Sequence, residues 1–439
     1  MFRKLIVFFS FVLTTLAVNA EETIHHEFIV ELMPATHKIN VMDTIHFSKQ
    51  QMQQVQKDGA SFILHAGEQP VLQTGNLKLE EVAMSGDELS QYSVPVKKYK
   101  VSGQFAKPLF TVKYEREIAH NLNEIKQGTA ETPGLIDDIG VYLAGESAWY
   151  PRFNNELVTF TLSVKLPVKW SSVSQGARIY QENEAQYHLD TWQEKSPQDD
   201  IYLVAYSFAE NSMRVGDVEV MTFLRTPDEA LSQRYLGISS QYISMYETLL
   251  GKFPYSKFAL VENFWESGYG MPSFTLLGES VVRLPFIIYT SYPHELLHNY
   301  WGNSVYVDYS QGNWSEGLTT YLADYLLKEQ RGQGANYRRG VLQKYTNFTQ
   351  NGGDFALDKF IARKDQASEA IGYGKTMMLF HMLRRSLGDK KFIEGLRKLY
   401  ADYQFKFAAF SDIEKIYSEL SHTDMHDFFS QWIERVGAP

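Results

Sequence analysis

The chain contains no cysteine. That absence excludes disulfides, thiolate metal ligands, a cysteine nucleophile and a lipid-modified N-terminal cysteine together. Internal repeats and low-complexity tracts are missing too, and beyond the first twenty residues no apolar run reaches the length of a membrane span. Positive charge is in short supply: 42 Lys and Arg stand against 52 Asp and Glu, for a net charge of -10. This balance favours solubility and argues against nucleic acid or an anionic membrane surface as a partner.

What is present begins with a leader. Arg3 and Lys4 precede an apolar run from Leu5 to Val18, and the small residue Ala20 is followed by the acidic Glu21 and Glu22. That order is the order of a secretory signal, too short and wrongly flanked for a membrane anchor. Residues 1–20 are expected to be removed, leaving 419 residues in the periplasm or the medium with no anchor. Any metal in such a cysteine-free protein has to be held by histidine and carboxylate.

A chain of this length has room for two or three domains with ample cores. Segments 27–33, 61–65, 109–114, 157–165 and 201–207 are short, rich in β-branched and aromatic residues, partly alternating, and separated by Gly and Pro. They read as an all-β sandwich or barrel. A composition shift near 209–214 sets the expected division: an N-terminal β domain over 21–212 and a second domain over 213–439. In the second, 218–224 and 257–262 read as strands flanking a helix from about 227 to 250, and the pattern after Pro293 is almost wholly helical.

The chemistry concentrates in His294-Glu-Leu-Leu-His298. Side chains at i and i+4 share a helix face, so both imidazoles can reach one zinc ion, and Glu295 beside them can accept the proton of the attacking water. Downstream, Ser315 reads as an N-cap with Glu316 in the first turn of the next helix. Glu316 is the candidate third ligand, an anionic oxygen completing two neutral nitrogens. A first-turn glutamate also complements the helix dipole, and without the upstream motif that would be its reading.

The run from His294 to Asn303 followed by Glu316-Gly-Leu-Thr319 resembles the signature of the aminopeptidase N family of gluzincin zinc metallopeptidases, peptidase family M1, which includes the leukotriene hydrolases. Tyr202–Tyr206, Phe253–Lys257 and Phe428–Trp432 resemble further segments of the family. The resemblance implies an α+β multidomain fold: an N-terminal all-β saddle or sandwich domain, then a thermolysin-like catalytic domain with a small β-sheet and a helical lobe. It implies one Zn2+ per chain and peptide substrates. Ile371–Leu379 resembles the family's tyrosine segment, which gives Tyr373 the role of hydrogen-bond donor to the oxyanion. Gly270 and Met271 match the strand beside the cleaved bond.

Two departures stand out. Seventeen residues, 299–315, separate His298 from Glu316 where the family usually has eighteen; the shortfall falls in a turn-rich connection that absorbs a deletion easily. In the strand, Pro272 stands where the family has the glutamate that binds the substrate's free amine, and proline brings neither a carboxylate nor an N–H. Another acid could supply the anchor, with Glu146, Glu266 and Glu262 as candidates, each otherwise an ordinary surface charge. The chain ends at Pro439 without the family's C-terminal helical domain, so the cleft is expected to admit longer peptides.

The expected function is thus an exported zinc peptidase, in one reading an aminopeptidase with a relocated amine anchor, in another an oligopeptidase or endopeptidase indifferent to a free N-terminus. A zinc-containing peptide-binding protein without turnover is the third. Nothing in the sequence fixes an oligomeric state.

Overall fold

A computed structural model describes residues 23–120, 122, 132–154, 156–266, 268–350 and 352–439. The proposed leader, residues 1–20, lies outside them.

Alternation of apolar and polar residues builds the first half. In strand Ile24–Met33, residues Ile24, His26, Phe28, Val30 and Leu32 are buried while Glu27 and Ile29 face outward, the period of two that a sheet with one covered face requires. This strand is in the middle of a seven-stranded sheet, antiparallel to Lys38–His46 and parallel to Val158–Leu166. A three-stranded sheet (Ala60–His65, Val96–Gly103, Leu77–Val82) and a four-stranded sheet (Ser171–Val173, Leu203–Tyr206, Gly140–Leu143, Leu135–Asp137) complete the β region. Their apolar faces enclose one core that includes Phe28, Phe62, Phe110, Trp149 and Trp192.

The next sheet has five strands in the order Ala209–Val215, Val218–Leu224, Lys257–Asn263, Phe274–Gly278 and Gly268–Met271. Ala209–Val215 pairs along its whole length with Val218–Leu224, so residue 212 lies inside this sheet and the change of architecture comes before Ala209. The three inner strands are parallel. All seven residues of Lys257–Asn263 are buried, because the sheet is covered on both sides. Phe258 and Leu260 face the core shared with the helices, whereas Ala259 and Val261 face the core of the β region. Helix Glu229–Leu250 packs on the first side. It starts where Asp228 accepts the Leu231 N–H at 2.9 Å and stops at Gly251.

Beyond Ser291 helices dominate, and Thr376–Tyr403 is the longest, with a break at Gly388. The expectation of an almost wholly helical segment needs one correction. Val305–Val307 and Lys406–Ala408 form a two-stranded parallel pair, too short and too far apart in sequence to show a period. Among the described residues no helix is long and apolar enough to cross a membrane.

Candidate metal centre

Helix Ser291–Leu297 carries the motif, and His298 continues it with helical dihedral angles. The two imidazole rings are 4.9 Å apart. Each has its Nδ1 engaged: His294 donates to Asp324 at 2.8 Å, and His298 donates to the Trp301 carbonyl at 2.9 Å. A proton held on Nδ1 leaves the lone pair on Nε2, the tautomer a metal ligand needs. Both Nε2 atoms face Glu316 Oε2, at 3.5 Å from His294 and 3.4 Å from His298. Ligands about 2.1 Å from a tetrahedral ion stand about 3.4 Å apart, so the donor set fits zinc in both chemistry and size. Among the described residues this is the one group of histidines and acids close enough to share an ion.

Glu316 enters from helix Ser315–Thr319. Ser315 is the first helical residue rather than the expected N-cap; Asn313 does the capping, accepting the Ser315 N–H at 3.0 Å and its hydroxyl at 2.7 Å. Gly317 allows this helix to lie against the start of the long helix, since a Cβ there would come 2.2 Å from that of Thr376. Burial works against the Glu316 charge, but the two imidazoles outweigh it and hold the carboxyl well below the usual range. Burial raises the Glu295 carboxyl above that range, with the Glu316 and Asp324 charges adding to the effect and the histidines opposing it.

Tyr373 comes from the other side. Its ring lies parallel to His294 at 6.2 Å and edge-on to Phe360 at 6.1 Å. Burial, then the Glu316 and Glu295 charges, push its phenol far above its ordinary value, so it is a neutral donor. Tyr373 and Asp324 both sit on π turns, Ala370–Lys375 and Thr320–Tyr325. Such turns are rare and recur at functional sites.

The edge strand Gly268–Met271 runs over Glu295. A Cβ on Gly270 would come 2.8 Å from the Glu295 carbonyl and 3.0 Å from its Oε2, so glycine is required for the strand to lie this close. Two asparagines that the motif reading passed over hold it there: Asn303 donates to the Gly270 carbonyl at 2.9 Å, and Asn299 accepts the Ser273 N–H at 2.7 Å. Met271 is buried in the β-region core. Pro272 and Ser273 form the two-residue link to Phe274–Gly278, with Ser273 at φ 65°, the proline-first pattern of a type II turn.

The acids weighed as amine anchors are placed differently. Glu262 is fully buried, ion-paired with Arg283, and accepts the Arg225 N–H at 2.7 Å, so its charge is committed. Glu266 is exposed and accepts the Ser280 N–H at 3.2 Å. Glu146 comes from the β region. Surrounding protein first, and the Asp200 charge second, push its carboxyl up to about 7. Four residues before it in the chain, the Tyr142 ring meets Trp265 at 5.1 Å, with Tyr269 of the edge strand 6.5 Å beyond. Between the β region and the helices opens a cleft of about 730 Å³, lined by Arg152, Asp199, Asp308 and Tyr309 among others. Tyr309 stands at the rim of this cleft, largely exposed.

Residues 288–432 match the peptidase family M1 domain. Over that stretch and in its overall fold, the chain is similar to aminopeptidase N-like members of peptidase family M1. It is 23% identical over 269 residues to an alanine/arginine aminopeptidase of Saccharomyces cerevisiae, covering 56% of this chain and 31% of that protein. The chain thus spans less than a third of the length of the curated relatives it matches. In fold it is similar to an M1 zinc metallopeptidase from Deinococcus radiodurans, with a TM-score of 0.67 and 14% identity over 95% of this chain and 94% of that one. It is also similar to yeast LTA4 hydrolase, with a TM-score of 0.67 and 13% identity over 95% of this chain and 69% of that one. The family implies one catalytic zinc ion, and the His294, His298 and Glu316 group is the set that can hold it.

Proposed function

We propose that the protein is an exported zinc peptidase of aminopeptidase type in which an acid outside the edge strand takes the substrate's amine. The observation that carries the reading is the meeting of His294, His298 and Glu316 with Glu295 and Tyr373 beside an edge strand whose Gly270 lies against the base.

His294, His298 and Glu316 would hold the ion. When bound, zinc supplies Lewis acidity that polarises the scissile carbonyl. Glu295 takes a proton from the attacking water at its carboxylate and returns it to the leaving nitrogen, a task suited to an acid whose pKa burial has raised. Tyr373 donates its phenol hydrogen to the developing oxyanion. A fixed neutral donor of this kind contributes about 3 kcal/mol to a transition state. Asp324 keeps the His294 ring and its proton in place. An extended peptide would lie along the open edge of Gly268–Met271.

For the amine, Glu146 is the acid we favour, because Tyr142, four residues before it, meets Trp265, which in turn meets Tyr269 of the edge strand, whereas Glu262 is committed to Arg283. The Arg3, Lys4 and Ala20 pattern supports export, and the division into a β domain and a peptidase domain belongs to the same reading. A second reading, cleavage without a free N-terminus, is favoured by Pro272, which removes the acid from its usual position.

The test is cleavage of one peptide, free and N-acetylated, by the zinc-loaded protein, with products weighed by mass spectrometry. Loss of single N-terminal residues from the free form alone is the expected result. Internal cleavage of both forms would replace the aminopeptidase reading with the second one.

A further inference from the structure

We propose that Arg363 is a specificity-determining residue that binds a carboxylate of the peptide, supplied either by the C-terminus or by an Asp or Glu side chain near the scissile bond. This rests on the peptidase reading above.

Arg363 lies in the segment joining helices Gly334–Thr349 and Gln366–Glu369. Its Nη1 stands 3.5 Å from Oε2 of Glu369. Glu369 precedes Tyr373 by four residues and leads directly into the π turn that carries it, so the two are about one turn apart. The same segment sets Phe360 against the Tyr373 ring. Arg363 is thereby held one turn from the oxyanion donor. Its charge is felt at the Tyr373 phenol, where it acts against burial and the two carboxylates.

The guanidinium is not consumed by its present partner. A separation of 3.5 Å exceeds a good N–H···O bond, the other oxygen of Glu369 is taken by Lys344, and the arginine side chain is 55% exposed. Five N–H donors in a planar fork match a carboxylate with two parallel bonds. Of the other charged groups placed around the centre, Glu146, Asp199, Glu295, Glu316 and Asp324 are acids, and the cation of the cleft, Arg152, is offset by Asp200 and Glu146. Arg363 is therefore the exposed cation beside Tyr373 that an anionic group on the substrate can meet. An extended residue covers about 3.5 Å, so a carboxylate one or two residues from the cleaved bond is within reach.

A surface arginine that only braces Glu369 would behave differently, and binding separates the two roles. The full chain with zinc and Glu295→Gln, which removes the base, is titrated calorimetrically with Ala-Ala-Ala, its C-terminal amide, and the amide of Ala-Glu-Ala. If the C-terminus is the source, the free acid binds about tenfold tighter than its amide. If a side chain is the source, the glutamate amide binds tighter than the alanine amide. Adding Arg363→Ala erases whichever preference exists and leaves the alanine amide unchanged, while Arg363→Lys keeps part of it. Equal binding of all three peptides before the arginine is changed, or an equal loss for all three after, overturns the proposal. Turnover by the protein with Glu295 intact is the companion measurement: Arg363→Ala should raise KM for carboxylate-bearing peptides and leave kcat alone. If none of the three is cleaved yet binding still depends on Arg363, the peptidase reading falls and the carboxylate site stands.

Discussion

In the β region His26 Nδ1 lies 2.7 Å from Asp43, and in the helical lobe His294 Nδ1 lies 2.8 Å from Asp324. The pairs are alike in chemistry and length, and they differ in what the second ring nitrogen meets. The His26 ring stacks on Phe28 at 5.1 Å with Tyr150 edge-on, both members of the pair are fully buried, and His26 Nε2 has no hydrogen-bond partner among the described residues. His294 Nε2 instead faces Glu316, with the His298 ring 4.9 Å away. A carboxylate on Nδ1 orients an imidazole wherever it occurs; a ligand results only where the far nitrogen converges with other donors. Strand geometry spaces same-face neighbours two residues apart and surrounds His26 with the aromatic residues of a sheet interior, whereas a helix stacks His294 and His298 at one turn.

The largest effect should separate the pairs outright. His298→Ala is expected to reduce bound zinc from one per chain to nearly none and turnover to background, measured by metal analysis and peptide cleavage. His26→Ala is expected to keep zinc and kcat while lowering unfolding stability by about 1–3 kcal/mol, the cost of leaving Asp43 buried without its partner. Loss of zinc in the His26 variant would break the distinction.

A smaller effect sharpens it. Asp324→Ala removes the orienting carboxylate but no ligand, and should weaken zinc affinity or kcat/KM by about 10–100-fold, read by competition with a chelator and by steady-state kinetics. An unchanged affinity would mean that the helix alone orients His294.

The smallest concerns Glu146, with a carboxyl pushed up to about 7. An acid with a raised pKa gains its charge only as pH rises through that value. If it binds the substrate amine, KM for free peptides should fall from pH 6 toward 7.5 and rise again as the amine loses its proton near about 8. Glu146→Gln should abolish the acidic limb, and N-acetyl peptides should show neither limb. The same profile with and without Glu146 would remove it from the site.

Much of the centre was legible because it is local. His294, Glu295 and His298 are one helical turn, and Glu316 opens the next helix. Asp324 was not legible. Eight residues along a regular α-helix leave a side chain about 80° away from Glu316, and only the π turn over Thr320–Tyr325 takes up part of that angle. Ser315 shows the limit of cap rules, because Asn313 offers its side-chain oxygen to the same helix start and serves in its place. Asn299 and Asn303 were quoted within the motif, yet their work is to hold a strand some thirty residues upstream, a contact that no local pattern announces.

The amino-acid order alone determined the donor types, the base, the strand-then-helix succession and the resemblance to one family, since each depends on spacing within a few residues or on side-chain chemistry. Tertiary structure decided which acids face the centre. Glu262 is spent on Arg283, Glu146 belongs to a turn of the β region, and Arg363 is paired with Glu369, four residues before Tyr373. These are statements about distance in space between groups far apart in the chain, and only a folded core that sandwiches the five-stranded sheet between two apolar layers sets such distances.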